Sequence, residues 1–289
     1  MADDNDKVPE RHREFFSDVN EGCLRRVDRA SVPLLGVQNE KIVHDRTGVL
    51  YRVGGHHFIL SASHDLKQIV EHNIPLYVSM NRPGIMPFGL GPAKFSSTEE
   101  VGRDISAIWL PPDLAGEIAK YKDFLPHSQV DLEGADSRGP FAFFGYPMKW
   151  SGHVIQDYIV SQGLVFLGFP HTGPLYEKGF FDPNLHMALN FERDAINALE
   201  GGKDRLPRLK GVSGCGVWQV GDVKDKKAIA RSPETVTLVG IQHRWFPDLN
   251  YVQATKIRHA LAFIQENFPE VSAAMSIVYP KGNVGDQLN

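Results

Sequence analysis

Gly211-Val212-Ser213-Gly214 sets a hydroxyl in a glycine-flanked turn, with bare backbone amides beside it. A serine hydroxyl near its ordinary pKa is a weak nucleophile and needs a neighbouring base. Imidazole titrates near neutrality and suits that task, provided a carboxylate fixes its orientation. The chain supplies both upstream, in order. His64 closes Phe58-Ile59-Leu60-Ser61-Ala62-Ser63-His64, and Asp104 opens Asp104-Ile105-Ser106-Ala107-Ile108-Trp109-Leu110. Such an ordered trio points to acyl-transfer chemistry.

Competing residues exist for two of the three roles. Asp65, Asp113 and Asp123 are available carboxylates; Asp104 is favoured because the apolar run after it can anchor it. Cys215 is a second candidate nucleophile, though buried packing near the site is its expected role. The Gly-x-Ser-x-Gly elbow of lipases is not met, since Cys215 replaces its last glycine. His56-His57 makes a poor metal site, because adjacent strand residues point to opposite faces. Cys23 and Cys215 have no partner at zinc-ligand spacing, so neither metal nor cofactor is expected.

The elements that must carry these residues read as strands. Val32 to Val37 and Gly48 to Val53 are short apolar runs, and Gly54-Gly55 before His56-His57-Phe58-Ile59-Leu60 is a hairpin signal, which leaves His64 just past a strand end. Asp65 to Val70 can form a helical turn or two. Residues 81–97 hold Pro83, Gly84, Pro87, Gly89, Gly91 and Pro92, which predicts a long surface loop. A helix from Asp113 to about Tyr121 follows Pro111-Pro112, inside a polar insertion reaching Gly139. Further strands are expected at Phe141–Pro147, Val154-Ile155, Gly163–Leu167, Gly216–Val220 and Thr235–Ile241. Many short strands in two similar halves predict a mostly β protein of two antiparallel barrels.

Helices are expected at both ends. Phe16, Val19, Cys23, Val27 and Ala30 are spaced for one, and Ile257, Ala260, Leu261, Ile264 and Phe268 form the stripe of another, with Asn250 as cap, Gln253 three residues on and Pro269 as stop. The expected division is 1–31 as an N-terminal helical extension, 32–125 and 126–248 as the two barrel halves, and 249–289 as C-terminal helix and tail, mobile beyond Pro280.

With 289 residues, 42% of them hydrophobic, the chain can bury a sizeable core. The net charge of -4 and scattered Lys and Arg argue against a nucleic-acid partner. An acidic start, no apolar stretch of membrane-spanning length and only two cysteines predict a cytoplasmic protein without a membrane partner or a disulfide framework.

Three motifs together resemble the trypsin-like (chymotrypsin-fold) serine proteases, in particular bacterial members lacking disulfides. Ser61-Ala62-Ser63-His64 is similar to the family's Thr-Ala-Ala-His, Asp104-Ile105-Ser106-Ala107 to its Asp-Ile-Ala-Leu, and Gly211-Val212-Ser213-Gly214 to its Gly-Asp-Ser-Gly. The order His, Asp, Ser is also the family's. Gly145-Tyr146-Pro147 and Val239-Gly240-Ile241 add to the match, which spans roughly residues 32–248. One departure is Cys215-Gly216 after Ser213-Gly214, where the family has Gly-Pro.

The resemblance implies a serine endopeptidase, with His64 and Asp104 on the first barrel and Ser213 on the second. It implies an oxyanion hole from the N–H groups of Gly211 and Ser213, and it brings His243 toward a substrate pocket. The expected partners are a protein or peptide substrate and a regulatory protein, with residues 81–97, residues 113–139 or the N-terminal extension gating the cleft. Two other outcomes stay open: a binding module that kept the scaffold without the chemistry, and an esterase using the same trio.

Overall fold

The computed structural model describes residues 26–38, 41–64, 66, 74–91, 93–98, 102–137, 139–155, 158–175, 181–191, 197–198, 209–220 and 236–278. The first sheet is built from β1 (Ser31–Gln38), β2 (Lys41–Val53), β3 (His56–Ser61), β4 (Tyr77–Val78), β5 (Phe88–Gly89), β6 (Lys94–Ser97), β7 (Ser106–Leu110) and β8 (Leu125–Pro126). Its order is β5-β4-β1-β2-β3-β7-β6, antiparallel throughout except where β8 runs parallel to β2. The second sheet uses β9 (Phe141–Gly145), β12 (Leu164–Gly168), β13 (His186–Asn190), β14 (Asn197–Ala198), β15 (Gly216–Val220), β16 (Val236–Phe246) and β17 (Tyr251–Lys256). Its order is β13-β17-β16-β15-β9-β12-β14, and β10 (Ser151–Ile155) pairs with β11 (Tyr158–Ser161) as a separate hairpin. Both large sheets are antiparallel and curl into half-barrels, as the two-barrel reading of the strand pattern anticipates.

The central strands of each sheet are buried on both faces, which is why they read as apolar runs rather than alternating ones. Leu50 and Ile59 point into the first half-barrel with Val32, Leu34 and Ile108, while Val49, Tyr51, Phe58 and Leu60 point the other way. In the second half, Phe141 and Phe143 fill the interior with Phe166, Val217 and Val239; Ala142 and Phe144 face outward toward Trp218 and Leu238. The outward faces of the two halves meet in one shared core.

That shared core is closed by helices. Among the described residues are α1 (Pro112–Ala119), which packs on the first half-barrel, α2 (Ile257–Asn267) and α3 (Pro269–Val278), which cover the shared core, and a short helical stretch at 26–29. From the end of β17, α2 carries Phe268 onto the first sheet, where its ring meets Phe58 at 5.3 Å and Trp109 at 6.0 Å. Lys94 lies 4.5 Å from the Trp109 ring and 2.7 Å from Glu270 of α3. The helix pair thus straps one half to the other. Gly54 and Gly55 make the tight β2–β3 turn with φ of +52° and +84°.

Several expectations are corrected. Asn250 does not cap a helix: it sits at φ +52° in the turn between β16 and β17, and α2 begins seven residues later, after Lys256. Asn tolerates that left-handed conformation. Tyr251–Lys256 is instead a fully buried strand, so the second sheet continues past residue 248. Its polar Gln253 and Thr255 hide the strand signal. Residues 81–97 are not wholly irregular, because β5 and β6 pair at the two outer edges of the first sheet, where Pro and Gly are tolerated. Residues 113–139 are no loose insertion either. Phe124 and Leu125 are buried, Val130 bridges to Leu238, and the Asp131 N–H donates to the Leu238 carbonyl at 3.0 Å. The N-terminal helix before residue 26, most of the turn at 65–70 and the tail beyond 278 lie outside the described residues.

Candidate active site

The pairing of β3 with β7 brings His64 and Asp104 together. Ser61 pairs with Ser106, so the residues just past these strand ends run side by side. Asp104 Oδ1 accepts the backbone N–H of both Ser63 and His64 at 2.8 Å each, and Oδ2 lies 2.8 Å from His64 Nδ1. Arg46, itself buried, pins the turn from behind by donating to the carbonyls of Ala62 at 3.1 Å and His64 at 2.6 Å. The ring of His64 stays 38% exposed, while the Asp104 side chain is 14% exposed.

Burial alone would raise the pKa of Asp104. The two imidazoles that face it, His243 and His64, outweigh that and hold the carboxyl well below the usual carboxylate range. Asp104 is therefore an anion at neutral pH, suited to orient a histidine and to balance its charge.

Ser213 reaches the same seam from the second sheet. Its turn is closed by Val212 N–H on the Leu209 carbonyl and Cys215 N–H on the Val212 carbonyl, each at 3.0 Å, with Gly211 at φ +91° and Gly214 at φ +89°. Thr47 of β2 holds this turn against the first sheet. The Thr47 N–H donates to the Ser213 carbonyl at 3.0 Å, and the Thr47 hydroxyl donates to the Gly211 carbonyl at 2.9 Å while accepting the Tyr146 N–H at 3.0 Å. On the other side the Gly214 N–H donates to the Gln242 carbonyl at 2.7 Å. Gly214 packs so closely that a Cβ there would lie 2.0 Å from Ser61 Oγ and 2.9 Å from the Ala62 nitrogen.

The turn of Ser213 thus abuts the chain two residues before His64. Among the described residues, the Ser213 hydroxyl and His64 Nε2 are not hydrogen-bonded to each other, and nothing accepts from the Ser213 N–H. Contacts of a general base are commonly long in ligand-free sites and tighten around substrate.

His243, expected near a substrate pocket, is 5% exposed, with Nδ1 3.4 Å from Asp104 Oδ2. Burial, above all, pushes its pKa down. Cys215 is completely buried in the second half-barrel, and burial pushes its thiol well up, which leaves it un-ionised and inert.

Thr47 and Arg46 carry no signal in the sequence. They lie in His44-Asp45-Arg46-Thr47-Gly48, which reads as a polar break, whereas β2 runs through it with a bulge that leaves Asp45 unopposed. Among the described residues no group of three or more His, Cys, Asp or Glu could hold a metal ion, and no helix is long and apolar enough to cross a membrane. Compared with models of known protein families and with curated proteins, the chain matches none.

Proposed function

We propose that this protein is a serine hydrolase of the trypsin-like kind, an endopeptidase in which Ser213, His64 and Asp104 act together. The observation that carries this reading is the Asp104–His64 pair fixed at the seam of two half-barrels, with the turn of Ser213 held beside it by Thr47.

In the proposed reaction Ser213 Oγ attacks the scissile carbonyl carbon as its proton passes to His64 Nε2. An Oγ–C bond forms and the carbonyl electrons move onto oxygen. The N–H groups of Ser213 and Gly211 would receive that oxyanion; one such donor contributes about 3 kcal/mol to barrier lowering. Collapse breaks the C–N bond, and the proton on His64 goes to the departing amine. Water then gives a proton to His64 and attacks the acyl carbon, the Oγ–C bond breaks, and Ser213 takes the proton back. Asp104 keeps His64 in the tautomer with its proton on Nδ1 and balances the imidazolium.

Reaction of the purified protein with a fluorophosphonate probe tests the reading. One covalent label per chain is expected on the natural sequence and none on Ser213→Ala. A protein that resists the probe is a binding module on this scaffold, and one that takes the label but cleaves esters and no member of a peptide library is an esterase.

A further inference from the structure

We infer that His243 is a positioning residue, a second imidazole on the Asp104 carboxylate that fixes it for His64; this rests on the triad reading above. The first support is the backbone. In the β16–β17 register Gln242 pairs with Ala254 and Arg244 with Gln253, so His243 is an unopposed bulge residue. Bulges redirect a side chain out of the regular alternation, and this one delivers the ring to the seam, 3.4 Å from Asp104 Oδ2.

The second support is the lack of any other use for the ring. Both nitrogens of His243 are buried, and neither makes a hydrogen bond of ordinary length. An apolar ring would fill the space without leaving buried polar atoms short of partners, so the carboxylate is what a histidine serves here.

The third is the manner in which the second sheet grips three consecutive residues. His186 of β13 donates from Nε2 to the Gly102 carbonyl, and the Thr255 hydroxyl of β17 donates to the Arg103 carbonyl at 3.2 Å. His243 of β16 meets the Asp104 side chain. Only this last contact touches the carboxylate.

The surroundings of the ring keep it neutral. Burial disfavours a positive charge most; Asp104 favours one but is outweighed, because Arg244 beside the ring and His64 across the carboxylate act with burial. From β13, His186 packs its ring 5.4 Å away and accepts the Asp182 N–H on Nδ1, so its own proton stays on Nε2. Nδ1 is the nitrogen of His243 that faces Asp104 Oδ2, so a single proton on the neutral ring serves the carboxylate from there.

The test compares His243→Asn, His243→Gln and His243→Phe, with Thr255→Val loosening the grip at Arg103 alone. Asn places its amide nitrogen where Nδ1 stands; Gln places it near Nε2. The readouts are the maximal rate and half-saturating concentration of fluorophosphonate labelling, and the proton NMR resonance of His64 Nδ1–H.

Gln and Phe are expected to slow the maximal rate about tenfold, short of the hundredfold that an ångström of misplacement brings, with half-saturation unchanged within about twofold. Asn is expected to stay within about threefold of the natural protein. A raised half-saturation with an unchanged rate would assign His243 to substrate contact and overturn the inference, as would Asn and Gln behaving alike, or Thr255→Val matching Phe. Should the natural protein not react at all, the triad reading falls while this one is still decided: the His64 resonance shifts in Gln and Phe but not in Asn if His243 holds the carboxylate, and stays in place in all three if it does not.

Discussion

Thr47 shows how much a single polar side chain can hold at a seam. Its N–H, carbonyl and hydroxyl all bond across elements: to the Ser213 and Gly211 carbonyls, to the Tyr146 N–H, and to Ser61 Oγ at 2.7 Å. Valine has the same shape without the hydroxyl, so Thr47→Val removes the acceptor of the buried Tyr146 N–H and one donor to the Gly211 carbonyl. An unfolding free energy lower by about 1–3 kcal/mol is expected in urea titrations. Fluorophosphonate labelling should slow as well, because the turn presenting Ser213 loses a tie to the first sheet.

The glycines of that turn work through backbone conformation and space. Gly214 combines φ +89° with a position where a Cβ would lie 2.0 Å from Ser61 Oγ and 2.2 Å from the Thr47 carbonyl oxygen. A hydroxyl can rotate away but a strand carbonyl cannot, so Gly214→Ala must push the turn off the seam. Thermal unfolding should report a loss above about 2 kcal/mol, and labelling should fail even in the folded fraction. At Gly91 a Cβ would meet nothing within 4 Å and φ is not positive, so Gly91→Ala should leave both measurements near their starting values.

Buried histidines give the fold as a whole a weakness toward acid. His186, His243 and His259 are all buried and all have their pKa pushed down chiefly by that burial, His186 to about 4. Unfolded, an imidazole takes a proton near pH 6.5, whereas His186 in the fold resists until about pH 4. Protons then favour the unfolded chain across that window, so stability falls as pH drops from about 6.5 to about 4. Asp104 acts lower down: its depressed pKa adds stability above about pH 4 that is lost as pH falls further. Denaturant titrations at pH 7.5 and pH 5 should show the drop, and His186→Gln, which keeps a donor for the Gly102 carbonyl, should show a smaller one. An equal drop in both proteins would remove His186 from this account.

What is legible in the sequence is what local chemistry dictates. Paired glycines mark the β2–β3 turn, Pro112 starts α1, and the apolar runs give most of the strands. The motifs around His64, Asp104 and Ser213 single out three residues by their neighbours. Strand pairing and bulges belong to no local window, so along the chain β17 reads as the approach to a helix and residues 113–139 as an insertion. For the same reason the nearness of His243 to Asp104 follows from the β16 bulge and from nothing beside it in sequence. The seam itself, with Thr47 tying β2 to the turn of Ser213 across 166 positions of chain, exists only once two sheets have curled and packed, because long-range hydrogen bonds are decided by which surfaces meet and not by which residues are neighbours.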